Sequence, residues 1–308
     1  MGDMKSGGFT LAIHGGAGGL PRNERIAREI ESGLHGALDA GVAQLSAGAG
    51  ALEAVVAAVR VLESEPAFNA GRGSVLSAAV EVEMDAAVME GATRRAGAVA
   101  CVRRLAHPID AALEVLRDGR HVLLCGEGAE SLARVAGAAS LEPADLVMPY
   151  RRAQLERVLA GSDGNGGPGG GTVGAVARDG EGHLAAATST GGIVAKRPGR
   201  VSDSALIGCG TYADDESCAV SATGEGEIFI RTVFAHAVDA AVRAGAPLPD
   251  ACASALAEVE RLGGSGGCIA VDAAGRVCLS FDTPAMPRGV VRAGTPARVA
   301  LGPDDGVS

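Results

Sequence analysis

The chain has no tryptophan, and only five phenylalanines and two tyrosines among 308 residues. It therefore lacks the aromatic platforms on which unpaired bases stack. Basic residues are also outnumbered, 27 Lys and Arg against 37 Asp and Glu, for a net charge of −10. No basic stripe is left to follow a phosphate backbone, so no nucleic-acid partner is expected. No apolar run reaches the roughly 18 residues that a membrane span needs, and no charged-then-apolar leader opens the chain. The expectation is a cytoplasmic, soluble protein with no membrane partner. The seven cysteines, 101, 125, 209, 218, 252, 268 and 278, form no C-x-x-C pair. Most lie in apolar runs such as HVLLC and GGCIAV, as buried small hydrophobes do, which argues against a disulfide framework or a zinc site. Met1-Gly2-Asp3-Met4-Lys5-Ser6 fits the bare myristoylation pattern, which is too short to carry a reading.

Small residues are what the chain has in plenty. It holds 47 glycines, and 47% of its residues are hydrophobic, which suits close packing of backbone layers and a full core. Apolar residues at i, i+3 and i+4 predict helices over residues 22–45 and 51–63, followed by a break at Pro66 and Asn69–Gly73. Strands are expected at 9–14, 74–83, 96–102 and 121–126, with helices after His107-Pro108, after 126 and over 151–159. Beyond 171 the pattern turns to four short strands, TVGAVAR, HLAAATS, ALIGCG and SCAVSAT. Two helices (226–244 and 249–262) follow, then the strand pair CIAVDAAGRVCLSF with its turn at Ala273-Ala274-Gly275. Runs of strands flanked by runs of helices predict an α+β architecture of antiparallel sheets covered by helices. The low-complexity stretch 161–171 divides the chain, yet neither part is self-sufficient, because the second is mostly sheet and needs covering by the first.

Two glycine clusters propose an esterase. His14-Gly15-Gly16-Ala17-Gly18-Gly19 resembles an oxyanion loop, and Gly263-Gly264-Ser265-Gly266-Gly267 fits G-x-S-x-G. The order of parts excludes it: the histidine must follow the serine, and the last histidine is His236. No glycine cluster is followed by the G-K-[ST] of a P-loop.

The glycine run that ends in Gly171-Thr172 poses a sharper question. A threonine hydroxyl is a poor nucleophile until a base takes its proton. A chain-terminal threonine carries that base as its own α-amine, with a pKa of about 7.7–8.0. Thr172 would gain such an amine if the Gly171–Thr172 bond were cut. Gly171 suits attack on its own carbonyl, having no side chain to block it and freedom to adopt strained φ/ψ. The bland alternative is a threonine that opens a strand.

Long segments in fixed order decide between these readings. GTVGAVA (171–177), ATSTGGIVAKRPGRVSDS (187–204) and SATGEGE (221–227) resemble the isoaspartyl peptidase/plant-type asparaginase family of N-terminal nucleophile (Ntn) hydrolases. HGGAG, LESEPAFNAGRGSVL (62–76), EVEMDAAVMEG (81–91), HVLLCGEGAE (121–130), LGGSGGCIAVD (262–272) and FDTPAMPRG (281–289) match as well, so the resemblance is collinear over residues 9–290. It implies a four-layer αββα sandwich, one Ntn-hydrolase domain over 1–308. Autocleavage between Gly171 and Thr172 would give an α subunit (1–171) and a β subunit (172–308), assembled as a dimer of such αβ pairs.

Residue by residue, Thr172 resembles the nucleophile and Thr190 the threonine that tunes it. Arg200 and Asp203 resemble the pair that grips a substrate's α-carboxylate and α-ammonium, and Thr223 and Gly224 the oxyanion donors. Gly226 matches a glycine near the substrate, and Asn69 an asparagine near the new N-terminus. Backbone carbonyls of Leu62, Glu63, Phe68 and Ala70 resemble a sodium loop, while no organic cofactor is implied. Chemistry suits these roles: Arg200 offers a two-pronged donor for carboxylate, and Thr223-Gly224 a hydroxyl and an unobstructed N–H for a developing oxyanion. The implied activity is hydrolysis of the β-amide of L-asparagine and of β-aspartyl (isoaspartyl) dipeptides to L-aspartate. A glycosylasparaginase-like amidohydrolase and an uncleaved, non-catalytic binder of aspartyl ligands are the alternatives. The chain departs from the family in reading Val201-Ser202-Asp203-Ser204-Ala205 where relatives often show VGDSP, and in its short, glycine-rich linker.

Overall fold

The computed structural model describes residues 8–21, 23–162, 171–303 and 307. The myristoylation pattern, Arg22 and most of the linker lie outside these residues. Among the described residues, the strands in chain order are β1 (Thr10–His14), β2 (Met84–Glu90), β3 (Ala96–Val102), β4 (Leu123–Cys125), β5 (Val173–Arg178) and β6 (Leu184–Thr190). They continue as β7 (Thr211–Ala213), β8 (Cys218–Gly224), β9 (Gly266–Asp272), β10 (Val277–Phe281), β11 (Arg288–Arg292) and β12 (Arg298–Ala300). One sheet runs β12-β11-β1-β5-β6-β2-β3-β4 and the other β10-β9-β8-β7, and every pairing but β3–β4 is antiparallel.

Helices α1 (Glu24–Ser46), α2 (Ala51–Ser64) and α3 (Pro108–Asp118) cover the larger sheet. α4 (Gly126–Val135), α5 (Pro143–Leu146) and α6 (Pro149–Leu159) follow them at its margin. Across the molecule, α7 (Gly226–Thr232), α8 (Phe234–Arg243) and α9 (Leu248–Arg261) complete the outer layer on the smaller sheet. The result is the Ntn-hydrolase sandwich of helices, sheet, sheet and helices. Helix ends follow local chemistry. Asn23 Oδ1 accepts from Ile26 N at 3.0 Å to open α1, and Pro108 starts α3, which Gly119 closes at φ +70°.

The inner strands are apolar on both faces because both are buried. In β5, Val173, Ala175 and Ala177 face the helices while Val176 faces the other sheet; in β6, Ala185 and Ala187 alternate with Leu184 and Ala186. β1, from before the linker, lies between β5 and β11, from after it, in register over five residues on each side. The two parts of the chain thus share one sheet and cannot separate without exposing it.

Several expected elements differ. Residues 74–83 form no strand: Val80 N bonds Ser77 O in a turn, Val80 itself lies at φ +64°, a single bridge joins Leu76 to Val82, and the strand begins at Met84. ALIGCG is a 3-10 turn and loop, with Gly208 at φ +91°, and the strand comes after it as β7. HVLLCG shrinks to β4. The helix expected over 226–244 breaks at Val233, where φ is +49°. The amides of Ala235 and His236 bond Cys209 O and Gly208 O, so tertiary partners hold the break. β2, β11 and β12 were not foreseen.

Candidate active site

Strand register builds the centre of the site. Val173 pairs with Ser189 and Gly174 with Thr188, so the antiparallel ladder carries Thr172 opposite Thr190. Their hydroxyl oxygens lie 3.1 Å apart, and Thr190 Oγ1 also accepts from Gly192 N at 2.9 Å. From the second sheet, β8 brings Thr223. Its Oγ1 accepts from Ala17 N at 3.0 Å and from Thr172 N at a longer 3.4 Å. Both acceptor positions of that hydroxyl are engaged, so its hydrogen is the part left to donate.

Glycines permit the close approach of two backbones here. A Cβ on Gly16 would meet Gly171 Cα at 2.7 Å, and one on Gly171 would meet Gly16 Cα at 2.8 Å. The HGGAGG loop after β1 is therefore pressed against the bond that precedes Thr172. Behind Thr172, a buried polar ladder joins the sheets: His14 Nε2 to Ser221 Oγ (3.0 Å), Ser221 Oγ to Thr188 Oγ1 (2.7 Å), and Thr188 Oγ1 to Thr211 Oγ1 (2.7 Å). Burial pushes the His14 imidazole down to about 3, so the ladder is neutral.

Thr172 opens into a cavity of about 470 Å³ that also receives Thr190, Gly224, Arg200, Asp203 and Glu227. The charged end rests on the loop after β6. Asp85, on β2, anchors that loop by accepting from Ser202 N (2.8 Å) and Cys101 N (2.9 Å). Arg200 makes a two-pronged contact with Glu227, at 2.9 and 2.8 Å. Asp203 is buried, and its Oδ2 has no hydrogen-bond partner. Burial raises its carboxyl to about 7, against the opposing pull of the Arg200 charge. Gly226 keeps this end open, since a Cβ there would sit 2.6 Å from Asp203 Oδ1 and 2.7 Å from Arg200 Nη2.

The structure thus gathers Thr172, Thr190, Gly224, Arg200 and Asp203 around one space, with Thr223 packed behind Thr172 and Gly226 against Arg200 and Asp203. Asn69 stands behind the wall instead. Its Nδ2 donates to Gly192 O (2.7 Å) and its Oδ1 accepts from Val75 N (2.8 Å), so it shapes the loop beside Thr190 without lining the cavity. Sequence reasoning missed Glu227 and Gln154. Glu227 stood in SATGEGE, where an acid flanking a substrate-side glycine was a usable signal; Gln154, on α6, had none.

The carbonyls of Leu62, Glu63, Phe68 and Ala70 belong to buried residues around the end of α2. Glu63 turns its carboxylate away, to Ile109 N (3.0 Å) and Ser189 Oγ (2.6 Å). The loop therefore offers neutral backbone oxygens, of which Leu62 O, Ala70 O and Phe68 O already accept from Glu65 N, Gly73 N and Arg151 Nη2; the lone pairs that remain fit a monovalent hard cation better than a divalent one. Among the described residues, no cluster of His, Cys, Asp and Glu suits a metal ion.

Four layers, with a threonine heading an inner strand and its hydroxyl facing a cavity, define the N-terminal nucleophile class of hydrolases. Residues 7–301 match the family described as asparaginase. The chain belongs to that family. It is 46% identical to an isoaspartyl peptidase of Salmonella typhimurium, over 91% of this chain and 94% of that one. It is 44% identical to an isoaspartyl peptidase of Escherichia coli, over 92% of each. With an isoaspartyl peptidase/L-asparaginase of Danio rerio it shares 41% identity over 90% of each.

Proposed function

We propose that the protein is an autoprocessing threonine amidohydrolase that cleaves the β-amide of L-asparagine and of β-aspartyl dipeptides, releasing L-aspartate. The observation that carries this reading is the meeting, in one cavity, of the Thr172–Thr190 hydroxyl pair with Arg200 and Asp203, whose Oδ2 has no partner among the described residues. The relatives' names and the family support the reaction class.

Maturation comes first. Thr172 Oγ1 attacks the Gly171 carbonyl carbon, the C–N bond breaks, and nitrogen takes the proton. Water then hydrolyses the resulting ester, leaving a carboxylate on Gly171 and a free amine on Thr172. That amine takes the hydroxyl proton in each later turnover, as α-amines, which ordinarily titrate near neutral pH, can do. Thr190 accepts a hydrogen bond from the nucleophile and holds it in place.

In turnover, the guanidinium of Arg200 takes the substrate α-carboxylate, exchanging Glu227 for it, and Asp203 takes the α-ammonium. An amino acid head group needs one cation and one anion at fixed separation, and holding it delivers the β-carbonyl to Thr172. The Thr223 hydroxyl and the Gly224 N–H stabilise the oxyanion. Ammonia or an amino acid departs, and water activated by the same amine releases aspartate. The Leu62, Glu63, Phe68 and Ala70 carbonyls would hold a sodium ion as a structural tie of the loop that carries Asn69. Incubating purified protein with L-asparagine and with a β-aspartyl dipeptide, and measuring aspartate, tests the reading: release from both supports it, and release from neither contradicts it.

A further inference from the structure

The head-group clamp fixes one end of the substrate but leaves the departing group unassigned. Ammonia needs no site, whereas the amino acid leaving a β-aspartyl dipeptide needs room and a partner. A second cavity of about 520 Å³ adjoins the first and shares Ala17, Gly18 and Gln154 with it. It lies across the HGGAGG loop from Thr172, and its wall is mixed, with Ile26, Phe68 and Pro287 alongside Arg25, Glu29 and Tyr150.

Gln154 stands where the cavities meet and is only 4% exposed. Its orientation is set from behind. Arg151, 1% exposed, donates from Nη1 to Gln154 Oε1 at 2.9 Å, and from Nε to Gly73 O at 2.7 Å. A guanidinium has donors only, so the amide must turn its oxygen to Arg151 and its nitrogen away. Among the described residues, Gln154 Nε2 has no bonding partner, and it is not sealed from solvent. Of the other hydroxyls in the cavity's lining, Ser265 Oγ donates to Glu225 and Thr283 Oγ1 to Ala285 O, while Ser202 Oγ has no partner among the described residues but is sealed from solvent.

We propose that Gln154 reads the leaving residue of β-aspartyl dipeptides, donating from Nε2 to its α-carboxylate, while the second cavity takes its side chain. This inference rests on the function proposed above and adds the determinant that separates dipeptide from asparagine.

The test compares wild type with Gln154→Glu and Gln154→Leu, using fully cleaved protein and the substrates β-aspartyl-leucine, β-aspartyl-leucinamide and L-asparagine. Gln154→Glu keeps an acceptor for Arg151, which guards the fold, but sets a carboxylate against the leaving carboxylate. Its kcat/KM for β-aspartyl-leucine is expected to fall about tenfold or more relative to that for asparagine, as loss of a hydrogen bond to a charged group implies. The leucinamide is expected to be affected less than the free acid, and Gln154→Leu to fall between wild type and Gln154→Glu. An unchanged dipeptide-to-asparagine ratio in both variants overturns the proposal while leaving the parent function standing. A wild type that hydrolyses none of the three substrates overturns both.

Discussion

The two ends of the cavity are built differently. At the nucleophile end, Thr172, Thr190 and Thr223 sit on strands or at their ends, and neutral hydroxyls meet backbone amides. Ladder register sets their positions, so little can move. At the head-group end, Arg200 and Asp203 sit on a loop and Glu227 on a short helix, and the groups are charged and partly or wholly desolvated. A neutral network is cheap to bury once satisfied, whereas a buried carboxyl with a bare oxygen is costly until a cation arrives. On the proposed function, the rigid end would supply chemistry and the electrostatic end selectivity for an amino acid head group.

If that division holds, Arg200→Ala should lower kcat/KM for asparagine on the order of 10²- to 10³-fold, as removal of one member of a desolvated ion pair does. Cleavage at Gly171 should proceed normally, because maturation needs no head group. Steady-state kinetics beside a denaturing gel reads both. Thr190→Val should reach both processes, since it removes the acceptor of the nucleophile's hydroxyl without changing shape: kcat and the cleavage rate each fall roughly tenfold, with KM little moved.

The smallest effect is one of pH. Asp203 ionises near 7 in the free protein, and only the ionised form attracts an ammonium group. KM for asparagine should therefore fall as pH rises through 7, and Asp203→Asn should flatten that slope. Stability runs the other way. The folded value lies above the ordinary 3.8, so ionising Asp203 opposes folding, with the penalty absent below about pH 4 and complete above about pH 7. Asp203→Asn should melt higher relative to wild type at pH 8 than at pH 4.

The layers were legible because β5 and β6 are continuous apolar runs between turn signals and α1 and α2 carry strong helical periodicity. The break at Val233 was not, because no glycine or proline marks it. A β-branched residue holds φ +49° only through amide bonds to Gly208 and Cys209, which local sequence does not carry. The 74–83 segment read as a strand on composition, but it turns back on itself at Ser77–Glu81. At the site, motifs on the chemistry-bearing strands and loops were readable one by one. Gln154 was not, since its place follows from Arg151 and the docking of α6, both properties of the folded chain.

Thr172 as a nucleophile freed by cleavage is the claim on which the rest depends. The intact mass of purified protein under denaturing conditions, after hours at neutral pH and beside Thr172→Ala, tests it most directly. Two fragments divided between Gly171 and Thr172 in wild type, with a single 30.4 kDa chain in the variant, is the predicted result. A single full-length chain in both would contradict it.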